Sequence, residues 1–382
     1  MSIFCSEWKS EKIGDILKER KEIGFSNLPL LSVTAEKGVV KRNEIDIKDN
    51  SSADKSNYKR ICPFDIGYNT MRMWQGRSGV SEYEGIVSPA YTVLKPTSKV
   101  DSNFIGYLFK LPAMINIFRR YSQGLVNDTL SLKYNQLKNI TIKIPSFREQ
   151  KKIARILNVW DEAIALKKDL IELKKEQKKG LMQKLLTGSI RVPGIWENWK
   201  EERLSELAEI VMGHSPKSTY YNTNGEGVFL IQGMADCKGR KTKPKIWTKQ
   251  TTKMCKVNDI IMTVRAPVGK ISMAIHEACI GRGVCAIRPK KSYEFLYHKL
   301  VFLEEKWEKI SQGSTFESVN SKEIKDLKIK VPISEEEQKT IAKILSKADK
   351  EIELLEKENE YLKEQKKGLM QLLLTGKVRV KC

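Results

Sequence analysis

The sequence predicts an α+β protein built twice: two similar globular domains separated by an antiparallel coiled coil of two long helices, related by a pseudo-twofold axis. Three observations predict it. Residues 149–192 and 337–380, offset by 188, agree at 26 of 44 positions and share the unbroken run KEQKKGLMQ. Self-similarity of that length marks a duplicated architecture. Both copies are free of proline over 147–187 and 335–375, with apolar residues alternately three and four apart, the spacing of a helical seam. The segments ahead of them mix β-branched runs with turn residues, as in IVSPAYTVL (86–94), KVNDIIMTV (256–264) and VCAIRP (284–289), which reads as short strands.

The first globular segment, 1–144, begins near Trp8-Lys9 and closes at Ile144-Pro145. The second, 191–331, begins near Trp199-Lys200 and closes at Val331-Pro332. Within them, PFDIGYNTMRMW (63–74) is echoed by KVNDIIMTVRAP (256–267), VLKP (93–96) by AIRP (286–289), and Ser122-Gln123-Gly124 by Ser311-Gln312-Gly313. Helices are expected near 101–120 and 292–310.

The segments 145–190 and 332–382 are the long helices. The first presents Ile153, Leu157, Trp160, Ile164, Lys167, Ile171, Lys174, Lys178, Leu181 and Leu185 at seam positions. The second presents Ile341, Leu345, Ala348, Ile352, Leu355, Asn359, Leu362, Lys366, Leu369 and Leu373. Asn359 and the lysines either fix register or lie at a frayed edge. Gly188 and Gly376 stand where a C-terminal cap glycine belongs, and Ser334 where an N-cap does. Residues 147–187 carry 11 basic and 6 acidic residues, net +5; residues 335–375 carry 8 and 10, net −2. Opposite signs favour pairing of the two copies with each other. About ten residues join Gly188 to Trp199, so the second helix must run back along the first. Each helix is about 60 Å long at 1.5 Å per residue.

The whole chain has 382 residues, 69 Lys+Arg and 47 Asp+Glu, a formal net charge of +22. Subtracting +5 and −2 leaves +19 outside the helices, so a polyanion is expected to bind the globular parts. No apolar run reaches the roughly 18 residues of a membrane span, and the first residues lack a signal-peptide core. Seven scattered cysteines without a Cys-x-x-Cys pair fit reduced thiols in a cytosol. Three separated histidines argue against a zinc site.

Chemistry-bearing motifs are scarce. There is no phosphate-binding Gly-x-x-x-x-Gly-Lys-Ser/Thr loop, no Pro-Pro dipeptide of an amino-methyltransferase, and no evident Ser-His-Asp set. Gly281-Arg282-Gly283 reads as a turn, and Asp65 and Asp259 read as turn carboxylates rather than metal ligands. The candidates that remain suit nucleic-acid recognition. Asn69, Arg72, Trp74, Gln75 and Arg77 bring amide, guanidinium and indole groups into nine residues. Arginine pairs with guanine, and Asn or Gln with adenine, through two hydrogen bonds each. Arg265, Lys270 and Arg282 stand in comparable places of the second half. Lys238, Arg240, Lys241, Lys243 and Lys245 form a basic loop suited to phosphates. Thr34, Lys37, Gln123, Gln232 and Gln312 complete the DNA-binding candidates. A solvated surface cation is the competing reading of each charged one, and Trp74 reads equally as core.

The chain resembles the specificity subunit of a type I restriction-modification system. The carriers are the Ile-Pro…Glu-Gln-x-x-Ile-Ala-x-Ile-Leu opening (144–157, and 331–345 with one extra residue), the KKGLMQ–LLTG ending (178–188 and 366–376), and the duplicated plan. DIIMTVRAPVG (259–269) and NTMRMWQG (69–76) also look like that family's recognition elements; the first half lacks a match to the RAPVG turn. The resemblance implies two target-recognition domains that read the halves of a split double-stranded DNA site. It also implies helices that fix the gap and dock two methyltransferase subunits, with two restriction-translocase subunits completing the complex. It implies no active site and no cofactor in this chain: S-adenosylmethionine, ATP and magnesium are used by the partners, in the cytoplasm and away from membranes. The alternatives are a basic coiled-coil scaffold that binds nucleic acid without reading bases, and an enzyme acting alone.

Overall fold

The computed structural model describes residues 4–34, 38–45, 51–195, 197–305, 307 and 318–381. The chain divides into two compact units, 1–168 with 357–382 and 169–356. Each unit holds one globular segment and half of each long helix.

In the first unit four antiparallel strands form the central sheet, in the order Leu17–Arg20, Tyr91–Pro96, Ile66–Asn69, Ser78–Val80. The predicted 86–94 run is broken by a turn: Tyr91 N–H donates to Ser88 O across Pro89, so Gly85–Val87 pairs elsewhere, with Lys59–Ile61. Gly67, in the middle strand, leaves room for Ile61 and Val33, which would lie 3.1 Å from a Cβ. Helices Ser102–Phe109 and Pro112–Tyr121 cover the sheet. Asp101 caps the first by accepting from Phe104 N–H, and a proline at the first position starts the second. The core gathers Ile66, Tyr68, Leu94, Phe104, Phe109 and Phe118 with Ile153 and Leu157 of the first long helix, Leu373 at the end of the second and Leu374 just beyond it.

The second unit repeats that sheet. Ala208–Met212, Val284–Pro289, Ile260–Thr263 and Ile271–Met273 follow in the same order, and two short strands, Lys241–Thr242 and Cys237–Lys238, extend it to six. A five-stranded sheet centred on Val228–Ile231 and Ala278–Ile280 has no counterpart of that size among the described residues of the first unit. A ribbon closes each globular part: Lys9–Lys12 with Thr141–Ile144 in one, Trp199–Arg203 with Lys328–Pro332 in the other. The helix expected near 292–310 is seen as Tyr293–Phe302.

The long helices are Phe147–Thr187 and Glu335–Leu373. Within each unit their halves run antiparallel. In the first unit Asp161 meets Lys366 at 2.5 Å and Lys167 meets Glu358 at 2.9 Å. In the second, Lys174 meets Glu351 at 2.7 Å, and Lys178 meets Asp349. All twenty seam positions are buried or half-buried. The four seam lysines are thus cross-helix ion pairs, with their aliphatic stems along the seam. Asn359 is 6% exposed and its Oδ1 accepts no hydrogen bond from the described residues.

The ends of the repeats explain their shared residues. Arg191, at the end of the first copy, holds Glu337 at the start of the second (2.7 and 2.9 Å). Arg379, at the end of the second copy, holds Glu149 at the start of the first (2.8 and 2.9 Å). Both carboxylates are buried. The neighbouring glutamines also match: Gln150 donates to Pro145 O and Gln338 to Pro332 O, each at 2.9 Å. Gly188 and Gly376 have φ of 75° and 72°, and each lies against an indole, Trp199 and Trp8 respectively. A side chain there meets both the left-handed backbone and the ring.

Candidate nucleic-acid interface

In the first unit the candidates collect at one end of the central sheet. Strand Ile66–Asn69 runs into a turn that returns as Ser78–Val80, closed by Asn69 N–H donating to Arg77 O at 3.0 Å. Asn69 Oδ1 accepts from Met71 N–H at 3.0 Å, an Asx turn. Met73 is buried and anchors the single 3-10 turn Met73–Gln75; Gly76, at φ 76°, ends it. The Trp74 indole donates to Met71 O at 3.0 Å, and the Arg119 guanidinium lies 5.7 Å from its ring centre. Trp74 is therefore half-buried against its own turn. Lys110 reaches in to donate to Gly76 O at 2.9 Å, and burial pushes its ammonium down to about 8. No sequence signal marks Lys110 as the post that supports this turn.

Around it, Arg72 faces Asp128 at 3.5 Å, while Gln75 and Arg77 are exposed. Gln123 is exposed and exchanges backbone hydrogen bonds with Ser131. The adjoining Leu132 N–H donates to Thr70 O at 2.9 Å, tying the 121–131 loop to the Arg72 turn. Thr34 closes the antiparallel pair Leu31–Val33 and Val39–Lys41 by donating to Gly38 O at 3.1 Å. That pair packs on Gly79, whose Cβ would lie 2.4 Å from Gly38 Cα. The fold thus gathers Thr34, Asn69, Arg72, Gln75, Arg77 and Gln123. Lys37 and Gln312 lie outside the described residues.

In the second unit the same end of the same sheet carries a concavity of 330 Å³ lined by Ser215, Gln232, Gly233, Met234, Thr263, Arg265, Ala266, Arg282 and Gly283. The turn after Ile260–Thr263 is built like its counterpart. Thr263 N–H donates to Lys270 O, and Val319 N–H donates to Val264 O, both at 3.0 Å. By these bonds Arg265 and Arg72 fall within one residue of each other. Gly281-Arg282-Gly283 is a turn, as its sequence predicts. Gly283 lets it approach Gln232, whose carbonyl O would lie 2.1 Å from a Cβ. Ser215 Oγ accepts from Arg282 N–H at 3.0 Å, and Gln232 Nε2 donates to Tyr221 Oη at 3.1 Å. The side chains of Arg265 and Arg282 are exposed at the rim and have no acidic partner among the described residues.

The basic loop is less uniform than its sequence. Arg240, at φ 60°, is tied to Glu304 and to Ile271 O (3.2 Å), so it holds the loop to the sheet. Lys241 pairs with Glu353 at 3.0 Å, and Lys270 lies 3.9 Å from Glu304. Lys238, Lys243 and Lys245 are exposed.

The two aspartates at matched places point inward. Asp65 accepts from Cys62 N–H (2.8 Å) and Arg20 (2.6 Å); Asp259 accepts from Lys256 N–H (2.8 Å) and Arg288 (3.0 and 3.1 Å). In each case the residue before the aspartate has positive φ, Phe64 at 68° and Asn258 at 69°. Both are turn carboxylates. The fold does assemble one Ser-His-Asp neighbourhood that is invisible in the chain order. His298 Nε2 is 3.0 Å from Ser346 Oγ, and its Nδ1 is 3.8 Å from Asp349. The second distance is too long for a hydrogen bond. His298 is 1% exposed, which denies it a substrate, and Asp349 is already engaged by Lys178. Burial pushes the imidazole down to about 4, so it packs as a neutral ring.

No helix among the described residues is long and apolar enough to cross a membrane, and no group of three or more His, Cys, Asp or Glu there is placed to hold a metal.

A family model described as type I restriction modification DNA specificity domain matches twice, over residues 5–175 and 196–364. The chain is similar to the MjaX type I restriction enzyme specificity subunit of Methanocaldococcus jannaschii, with 32% identity over 98% of this chain and 94% of that one. It is also similar to the MjaVIII specificity subunit of the same organism, at 26% over the same shares. Among solved structures, the S subunit of a type I restriction-modification system from M. genitalium shares the fold, with a TM-score of 0.61, 16% identity and 96% of both chains covered. So does the HsdS subunit from Thermoanaerobacter tengcongensis, with a TM-score of 0.53, 22% identity and 98% of both covered.

Proposed function

The chain belongs to the type I restriction-modification DNA specificity family, and from that premise we propose that it reads a bipartite duplex target and directs catalytic partners to it. One observation carries the reading. The same four-stranded sheet, built twice, carries arginine and amide side chains at the same end: Arg72, Gln75 and Arg77 from one turn in the first copy, and in the other Arg265 from the matching turn, with Arg282 and Gln232 from the adjoining loops of the same concavity. Two equivalent readers on one chain fit a target with two specified halves.

The globular segments 1–144 and 191–331 are the recognition domains. Exposed lysines such as Lys238 and Lys243 supply phosphate affinity, and the arginine and amide groups select base edges. The segments 145–190 and 332–382 form the ruler that sets the unspecified gap. The chain carries no chemistry of its own. Two methyltransferase subunits bring S-adenosylmethionine, and two restriction-translocase subunits bring ATP and magnesium, in the cytoplasm.

The test is a helix insertion. Four residues added to each long helix, at facing seam positions, lengthen the pair by about 6 Å, on the order of two base-pair steps. Mapping methylated adenines in a genome carrying the altered subunit is expected to show both half-sites unchanged and a longer gap. Altered half-sites with an unaltered gap overturn the ruler.

A further inference from the structure

The first unit thrusts two adjacent aliphatic side chains into water. Leu125 is 101% exposed and Val126 61%, on a loop that is otherwise closely tied. Gln123 and Ser131 exchange backbone hydrogen bonds of 2.8 and 2.9 Å at its neck. At its tip, Thr129 Oγ1 accepts from Val126 N–H and donates to Val126 O (3.2 and 3.0 Å), and Val126 O also accepts from Thr129 and Leu130 N–H. Gly124, at φ 147°, permits the crossing: a Cβ there would stand 2.6 Å from the Thr129 carbonyl. A backbone held this closely does not fold its tip back, so the apolar pair stays presented.

Its surroundings say what it is presented to. Arg72 meets Asp128 at 3.5 Å, and Arg119 meets Asn127 at 3.4 Å while lying over Trp74. Arg77 and Arg120 are exposed close by. An aliphatic point inside a cationic, amide-bearing collar has the chemistry of a side chain that enters a base stack, where apolar wedges part neighbouring pairs while the collar holds phosphates.

We propose that Leu125, backed by Val126, is a wedge that the first recognition unit drives between base pairs of its half-site. This rests on the proposed DNA reading. Beyond recognition, the unit then opens the stack where the partner methyltransferase has to extrude its base.

The test uses the complex of the full chain with its methyltransferase subunits on duplexes carrying the mapped target. 2-Aminopurine replaces one base at a time in the first unit's half-site, the methylated adenine excepted. Wild type is expected to raise its emission several-fold at one step, because unstacking relieves quenching, and Leu125→Ala is expected to abolish most of the rise. Val126→Ala should reduce it. Both variants should bind the target within roughly tenfold of wild type, since the lost wedge contact and the spared unstacking offset each other. Replacing thymines by uracil should leave the wild-type rise unchanged. Several results overturn the wedge: no rise at any step, a rise that survives in Leu125→Ala, a loss reproduced by uracil (a thymine-methyl contact), or variants that no longer bind the methyltransferase subunit (a protein-docking loop). Anisotropy on target and scrambled duplexes is read in parallel. Failure of wild type to distinguish them refutes the DNA reading itself, and the wedge falls with it.

Discussion

Replacing Arg379 by methionine tests the clasp that joins the end of the second repeat to the start of the first. Glu149 is 2% exposed and accepts from Arg379 Nε, Arg379 Nη2 and Val380 N–H at 2.8, 2.9 and 3.3 Å. Burial by itself raises the Glu149 carboxyl, and the guanidinium and Val380 N–H more than offset it, leaving it below the ordinary value. Stripping the partner from a fully buried ion costs about 3–5 kcal/mol. The Arg379 side chain is 43% exposed, so water substitutes for part of it, and about 1–3 kcal/mol is expected at pH 7. The pH dependence separates this from a packing loss. In wild type the contribution is present above the ordinary glutamate pKa and is lost as pH falls through the lower folded value. In the variant burial is opposed only by the Val380 N–H, so the folded value rises, and the stability gained by ionising Glu149 shrinks or reverses as pH rises. The gap between the two proteins should therefore be small near pH 4 and open toward pH 7. Urea unfolding from pH 4 to 8 measures it, with amide exchange at Cys5 and Val380 as the local readout. Adding Glu149→Gln to the variant should recover part of the loss at pH 7. A deficit equal at every pH, or none, refutes the account.

Three further outcomes follow from the geometry. Lys174→Glu should cost about 0.5–1 kcal/mol in thermal unfolding, and the reciprocal Lys174→Glu/Glu351→Lys pair should recover most of it; simple additivity contradicts the cross-helix pairing. Arg265→Ala and Arg282→Ala should each cost about 1–3 kcal/mol on the target and relax discrimination at particular positions, whereas Lys238→Ala and Lys243→Ala should weaken all duplexes alike and lower the salt slope by about one each; binding titrations over salt and sequence decide. Buried His298, facing Ser346, Asp349 and Lys178, has its pKa pushed down to about 4. The unfolded chain therefore binds the extra proton first as pH falls below about 6.5, and stability should drop by about 2–3 kcal/mol by pH 4; His298→Gln should flatten that part of the unfolding profile.

The duplication, the helix spans and the seam were legible because they rest on periodicity and on residue types that act locally, such as Gly188 and Gly376 at the helix ends. The aspartate turns were legible for the same reason. What escaped reading depends on contacts between distant segments. Arg191 and Arg379 stand in the repeated Arg-Val pair, and Glu149 and Glu337 in the repeated Glu-Gln pair. Yet their partnership needs the helices laid side by side. Lys110 under the Arg72 turn and Glu304 on Arg240 are long-range in the same way. A basic loop reads as uniformly phosphate-facing until the fold reveals which of its cations already have carboxylates.

The two clasps have an unequal setting. Arg191 grips Glu337 close to the covalent link between Gly188 and Trp199, whereas Arg379 grips Glu149 beside a junction held by hydrogen bonds, with Cys5 N–H donating to Thr375 O at 2.8 Å. The first unit's clasp thus joins residues 230 apart in the chain and the second unit's joins residues 146 apart, so loosening one should open its own unit and leave the other's closed.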